Sequence, residues 1–135
     1  MVPEHLAHKP IVSVDNYEKI DGPYSRVHDI SSLSLGFAQW DQDDIALKIF
    51  RQHNSRWSRQ SEELPPHRVL DLGILLIAAM LKWKDGDFIT RYFNIDIHSE
   101  DQMENSLFAF FENNKVLLEE RLMELSLLVD RYFKR

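Results

Sequence analysis

The stretch Trp57–Leu81, WSRQSEELPPHRVLDLGILLIAAML, decides the fold of this chain. A polar, arginine-rich approach leads into Pro65-Pro66, and an apolar run broken only by Asp71 and Gly73 follows. Proline fits the first turn of a helix because the N–H that it lacks would have no partner there. The stretch therefore predicts that a β-strand gives way to a helix at the two prolines.

The helix that the prolines open is expected over about residues 66–84. It is apolar nearly all round, which is typical of a helix buried at the centre of a domain. Lys82 and Lys84 lie in its last turn, where the helix dipole favours cations, and Gly86 is a natural C-terminal cap. We therefore expect a central buried helix that ends at Gly86.

Upstream of the prolines, the apolar residues recur at every second position. Leu33, Leu35 and Phe37 alternate with small residues, and the alternation resumes from Ile45 to about Gln52. This period of two predicts half-buried strands. Shorter strands are expected at residues 11–14 and from about residue 56 to 61, with turns at 21–23, 41–44 and 53–55. The pattern predicts an antiparallel β-meander of three to four strands.

The register of the last hairpin has two alternatives. If Asn54-Ser55 form a two-residue turn, Trp57 and Arg59 share a face with Phe50; if the loop has three residues, they share a face with Ile49. A slip of one residue moves every side chain of a strand to the opposite face. The sequence leaves both alternatives open.

Downstream, Ser99–Gln102 has the pattern of a capping box and predicts a second helical region over about residues 100–134. Asn113-Asn114 interrupts this region, which predicts a helix or a helix pair. Its apolar residues recur at helical spacing: Leu107, Phe111, Leu118, Leu122, Leu125, Val129 and Tyr132. The fold class expected is α+β, with the sheet packed against both helical regions in one domain, residues 1–135.

Composition limits the classes of partner. Sixteen basic and twenty-two acidic residues give a net charge of −6, which argues against nucleic acid and against an anionic membrane. Cysteine is absent. The first residues lack the pattern of a signal peptide, and the longest apolar run is shorter than the roughly 20 residues of a membrane span. A cytoplasmic location is therefore expected.

Charged side chains concentrate at the strand-to-helix junction. His67 and Asp71 are four residues apart on one helical face, so a carboxylate can orient an imidazole there as in a catalytic pair. Alternatively, Asp71 pairs with an arginine and has a structural role. The residues predicted to bind a ligand are Arg59, Glu62, Glu63, His67, Arg68 and Asp71.

No metal site and no cofactor are expected, because the six histidines lack the spacing of a zinc site. His5 and His8 are expected to be disordered or solvated. The function predicted is a non-catalytic binding or interaction domain with a protein partner or with self-association through the C-terminal helix. The apolar stripe of that helix is expected to pack against the helix of residues 66–84 of the same chain, and a homodimer seam is the alternative. The alternative is a small enzyme or anion-binding protein that uses His67, Asp71 and Arg59.

Part of the chain resembles a known family. The phrases Trp57–Pro65 and His67–Leu72, with Val14–Gly22 and Leu33–Gly36 upstream, are similar to those of a family of small bacterial proteins of unknown function. The resemblance covers about half of the chain and stops near Lys84. It implies a bacterial source, and it implies no activity and no catalytic residue.

Overall fold

The computed structural model describes residues 7–26, 29–53, 56–57, 62–98 and 101–134. The chain divides into two compact units, Met1–Gly73 and Ile74–Arg135. The single domain expected over residues 1–135 stays a prediction.

The first unit contains an antiparallel sheet. Its described strands are β1 (Lys9–Asp15), β2 (Ile30–Phe37), β3 (Ile45–His53), β4 (Arg56–Trp57) and β5 (Glu63–Leu64). β1 pairs with β2, β2 pairs with β3, and both β4 and β5 pair with β3. Two short 3₁₀ segments, Tyr17–Lys19 and Gly22–Arg26, separate β1 from β2. The predicted antiparallel meander is confirmed.

The register of the last hairpin follows from the pairing of β3 with β4. Gln52 lies opposite Trp57, and His53 lies opposite Arg56. This is the register of a two-residue connection, so the first of the two alternatives is the correct one. The rest of the predicted third strand, residues 58–61, lies outside the described residues, and Arg59 lies there with it.

One face of the sheet is buried, and it is the more polar one. On β2 and β3 the buried positions are Ser32, Ser34, Gly36, Ala46, Lys48 and Phe50. On the opposite face, Leu33 is half-buried, whereas Leu35 and Phe37 are exposed. The alternation along each strand is the predicted one, but the leucine face is not the buried face.

The junction helix α1 runs from Pro66 to Asp85, as predicted for residues 66–84. Gly86 ends it with a φ of 89°, and the Gly86 N–H donates to the carbonyl of Lys82 at 2.8 Å. The expectation that the helix is buried all round is wrong, since Leu70 is 64% exposed and only Ala78 and Met80 are buried. An apolar sequence shows which residues can be buried and not which surface covers them. Packing of the sheet against the helices stays a prediction.

The second unit contains the C-terminal half of α1 and the predicted helix pair, α2 (Asp101–Asn113) and α3 (Lys115–Phe133). The break falls at Asn114, whose side-chain amide donates to the carbonyl of Phe110 at 2.9 Å. Phe111 is 1% exposed and its ring centre lies 6.0 Å from that of Trp83. None of the described helices has the length and hydropathy needed to cross a bilayer.

Candidate functional site

A buried polar cluster, made of His8, Ser34, Lys48 and Glu63, occupies the covered face of the sheet. His8 is fully buried. Its Nδ1 lies 3.2 Å from Oε2 of Glu63, and its Nε2 lies 2.9 Å from Oγ of Ser34. The expectation that His8 is disordered or solvated is therefore wrong: the two hydrogen bonds fix the imidazole inside the protein.

Glu63 is the centre of this cluster. The pairing of β5 with β3 places it opposite Lys48, and the Lys48 ammonium lies 3.7 Å from Oε1 of Glu63. The backbone N–H of Gln39 donates to Oε2 at 2.9 Å. The Glu63 side chain is only 2% exposed, and a buried carboxylate stays charged only if it is paired and hydrogen-bonded. Lys48 supplies the ion pair and His8 and Gln39 supply hydrogen bonds to Oε2, while Oε1 accepts no hydrogen bond from the described residues.

The tautomer of His8 follows from its partners. A carboxylate only accepts hydrogen bonds, so Nδ1–H of His8 donates to Glu63 and Nε2 accepts from the Ser34 hydroxyl. Burial lowers the pKa of His8 below its ordinary value, and the hydrogen bond to Glu63 offsets part of this effect. His8 is thus a neutral, internally satisfied histidine at pH 7 rather than an accessible base.

A second feature, the junction cleft, opens beside the cluster. It has a volume of about 630 Å³. Its lining comes from the turn after β2 and from the start of α1, and consists of Gln39, Trp40, Asp44, Glu63, Pro65, Pro66, His67 and Arg68. The double proline positions the last two side chains, because it fixes where α1 begins. Three predicted ligand-binding residues, Glu63, His67 and Arg68, are therefore brought together.

Both carboxylates of the cleft already accept hydrogen bonds from their own chain. The indole N–H of Trp40 donates to Oδ2 of Asp44 at 2.8 Å, and the N–H of Ile45 donates to Oδ1 at 2.9 Å. These two bonds, with that from Trp40 the larger cause, hold the pKa of Asp44 below its ordinary value. Glu63 is held by the buried polar cluster.

The hydrogen-bond donors at the start of α1, His67 and Arg68, differ from these carboxylates. His67 and Arg68 are both exposed at the first turn of α1. Within the described residues, neither side chain makes a hydrogen bond or an ion pair. Unused hydrogen-bond donors therefore line a cleft whose two carboxylates already accept hydrogen bonds from their own chain.

The remaining predicted site residues lie elsewhere. Glu62 forms an ion pair with Arg51, which also pairs with Asp29. The hydrogen bond from Arg51 is the main cause of a lowered pKa at Glu62. Asp71 is half-buried and is not part of the cleft lining, and among the described residues no hydrogen bond or ion pair joins it to His67 or Arg68.

In the described part of the chain, no three acidic or histidine side chains lie close enough together to hold a metal ion. The roles of the predicted ligand-binding residues, including Arg59, stay predictions.

Sequence reasoning missed His8, Trp40, Asp44 and Lys48. His8 lies in a polar segment before β1, and nothing in the neighbouring sequence indicates that it is buried, because its partner Glu63 is 55 positions away. Lys48 carried a usable signal, since it alternates with Ala46 and Phe50 on one strand face. A lysine at an inward position requires a carboxylate partner.

Comparison with known proteins gives one match. The model of a family of unknown function, DUF6530, matches residues 1–104. This chain belongs to that family. The match includes the whole sheet, the buried polar cluster, the junction cleft and α1. No curated protein and no solved structure matches the chain.

Proposed function

We propose that this DUF6530 protein is a non-catalytic binding domain whose junction cleft holds a carboxylate of an acidic protein segment. The observation that carries the proposal is a difference in hydrogen bonding between the acidic and the basic side chains of one cleft. Asp44 and Glu63 are hydrogen-bonded by their own chain, whereas His67 and Arg68 are exposed and unpaired among the described residues.

The guanidinium of Arg68 is suited to this role. Arginine binds a carboxylate through two parallel N–H···O bonds, and it stays charged at every physiological pH. His67 adds a second donor beside it, and the positive end of the α1 dipole lies at the same turn. The carboxylates of Asp44 and Glu63 also line the cleft and would repel additional negative charge. The cleft therefore suits a ligand with one anionic group rather than a highly charged chain.

The walls of the cleft favour a peptide over an isolated ion. Trp40 is 47% exposed, and Pro65 and Pro66 also line the cleft. An exposed indole beside prolines offers apolar surface to the residues that flank an acidic side chain. A protein segment with one glutamate or aspartate among apolar residues fits both the walls and the donors.

Two points support binding rather than proton transfer. His8 is sealed between Glu63 and Ser34, and the imidazole of His67 is not hydrogen-bonded to Asp71 in the described structure. We also propose that the protein is bacterial and cytoplasmic. This part of the proposal is supported only by the amino-acid sequence and by its resemblance to a family of bacterial proteins.

The test is a ¹⁵N NMR titration of the full chain with an end-blocked Ala-Glu-Ala peptide. We expect shifts at the backbone amides of His67 and Arg68 and at the Trp40 indole N–H. Arg68→Gln is expected to abolish them. Arg91→Gln removes the same charge from an exposed residue outside the cleft lining and is expected to leave the shifts unchanged.

Two matched probes decide the chemistry. An end-blocked Ala-Gln-Ala peptide has the same shape without the charge, and equal shifts with it would overturn the role of the carboxylate. Inorganic phosphate is the second probe. Shifts with phosphate but none with Ala-Glu-Ala would overturn the protein-segment proposal in favour of a phosphate ligand.

A further inference from the structure

Helix α3 has more apolar surface than its own chain covers. None of its nineteen residues is buried. The side that faces α1 carries Leu122, Met123 and Ser126, which line a groove with residues of α1. Of the other exposed apolar residues of α3, four that are 43–81% exposed form what we call the exposed stripe: Leu125, Leu128, Val129 and Tyr132.

The exposed stripe has the geometry of a helix-pairing seam. Its members are spaced by three, one and three residues, which places them on one face of a helix. At 100° per residue, this face lies roughly 120° around α3 from the side that faces α1. Val129, seven residues after Leu122, borders the side that faces α1, whereas Leu128 lies at the far edge of the stripe, about 120° around the helix from Leu122.

The charges beside the stripe are self-complementary. Glu124 and Arg131 are exposed, lie two turns apart along the same edge of the stripe, and form no ion pair in the described chain. In an antiparallel pair of α3 helices, Glu124 of each copy lies beside Arg131 of the other. A parallel pair offers no such match, because it places each of these charges on the opposite side of the seam from its symmetry mate.

The same antiparallel alignment also matches the apolar residues. A two-fold axis near Leu128 places Leu125 of one copy beside Val129 of the second, and Leu128 beside its own symmetry mate. Two-fold dimers with self-complementary surfaces are the commonest protein oligomers. We infer that the exposed stripe binds the exposed stripe of a second copy of this chain, in an antiparallel arrangement.

The size of the seam sets the expected affinity. A helix of nineteen residues is about 28 Å long, and a seam of this length buries less than the roughly 800 Å² per partner of a standard stable interface. We therefore expect a reversible dimer with a dissociation constant in the micromolar range. This inference goes beyond the proposed binding function and uses none of the cleft residues.

The test is sedimentation equilibrium of the full chain over a series of concentrations from micromolar to millimolar. Leu128→Glu is expected to weaken association at least tenfold. Val116→Glu is the matched control, because Val116 is 72% exposed on the opposite side of α3, and we expect it to dimerise like the wild type. A wild-type chain that stays monomeric at the highest concentration would overturn the inference.

Charge exchange tests the antiparallel orientation. Glu124→Arg and Arg131→Glu are each expected to weaken self-association, because each places like charges together. Mixing the two variants is expected to restore association, since every contact in the mixed dimer then joins opposite charges. The double variant is expected to associate like the wild type. A mixture no stronger than either variant alone would contradict the antiparallel seam.

Discussion

His8 and Glu63 lie 55 positions apart in the sequence, and the imidazole of the first donates its Nδ1 hydrogen to the carboxylate of the second. This bond joins the residue before β1 to the strand that leads into α1. Glu63 also lines the junction cleft. The same carboxylate thus stabilises the sheet and fixes one wall of the cleft.

Glu63→Ala is expected to destabilise the protein strongly. It leaves the Lys48 ammonium and the His8 N–H buried without an acceptor, and breaking one partner of a buried pair costs about 3–5 kcal/mol. We expect a loss near the lower figure, measured as the free energy of unfolding in urea.

Glu62→Ala is the matched control for this change. Its ion pair with Arg51 is on the surface, with the Glu62 side chain 49% exposed, and such pairs contribute about 0–1 kcal/mol. If both variants lost the same free energy of unfolding, the buried polar cluster would contribute no more to stability than a surface ion pair does.

Stability is expected to fall on mild acidification. The pKa of His8 is lowered in the folded protein, so below pH 6.5 the unfolded chain binds more protons than the folded chain. The free energy of unfolding therefore decreases as the pH falls from about 7.5 through 6.5 towards the folded pKa, by at most about 1.4 kcal/mol per pH unit for one group.

Urea unfolding at a series of pH values measures this slope. His8→Gln removes the titrating group and is expected to flatten the slope between pH 7 and 5.5. A slope that survives in the His8 variant would assign the effect to another group.

Much of the fold could be predicted from local patterns. The alternation of apolar residues identified β2 and β3, and the double proline with Gly86 set the limits of α1. What the patterns did not identify was the surface that each element covers. Leu35 on one face of β2 is exposed, and Ser34 on the other face is buried. The hydrogen bond that the Ser34 hydroxyl donates to His8 compensates for burying this polar group.

The candidate site was predicted only where its residues are neighbours in sequence. Glu63, His67 and Arg68 follow one another closely, and the structure places them at one cleft. Trp40 and Asp44 come from the preceding hairpin turn, and tertiary contacts between separate segments have no local signal. The pairing of His67 with Asp71 has the correct helical spacing, but spacing permits a contact without forming it.

Trp40→Phe is expected to raise the pKa of Asp44 towards its ordinary value. The change keeps an aromatic wall and removes the indole N–H, whose bond to Asp44 is the largest cause of the lowered pKa. The Ile45 N–H remains, so we expect a partial rise. A ¹³C NMR titration of the Asp44 carboxyl group measures it, and an unchanged pKa would mean that the indole does not control this carboxylate.

Gly36→Ala and Gly73→Ala are expected to change stability in opposite directions. A β-carbon at Gly36 would lie 2.0 Å from the carbonyl oxygen of Lys9 and 2.8 Å from Cα of Pro10. These are backbone atoms at the irregularity of β1, so they can move only by disturbing the strand pairing, and overpacking of this kind costs about 1–3 kcal/mol.

Gly73 lies inside α1, where an added β-carbon meets no atom within 4 Å. Alanine is favoured over glycine in a helix interior by about 0.8–1.0 kcal/mol, so Gly73→Ala is expected to stabilise the protein. Thermal unfolding of the two variants beside the wild type measures both effects. A Gly36 variant as stable as the wild type would show that β1 can move away from β2 without loss of stability.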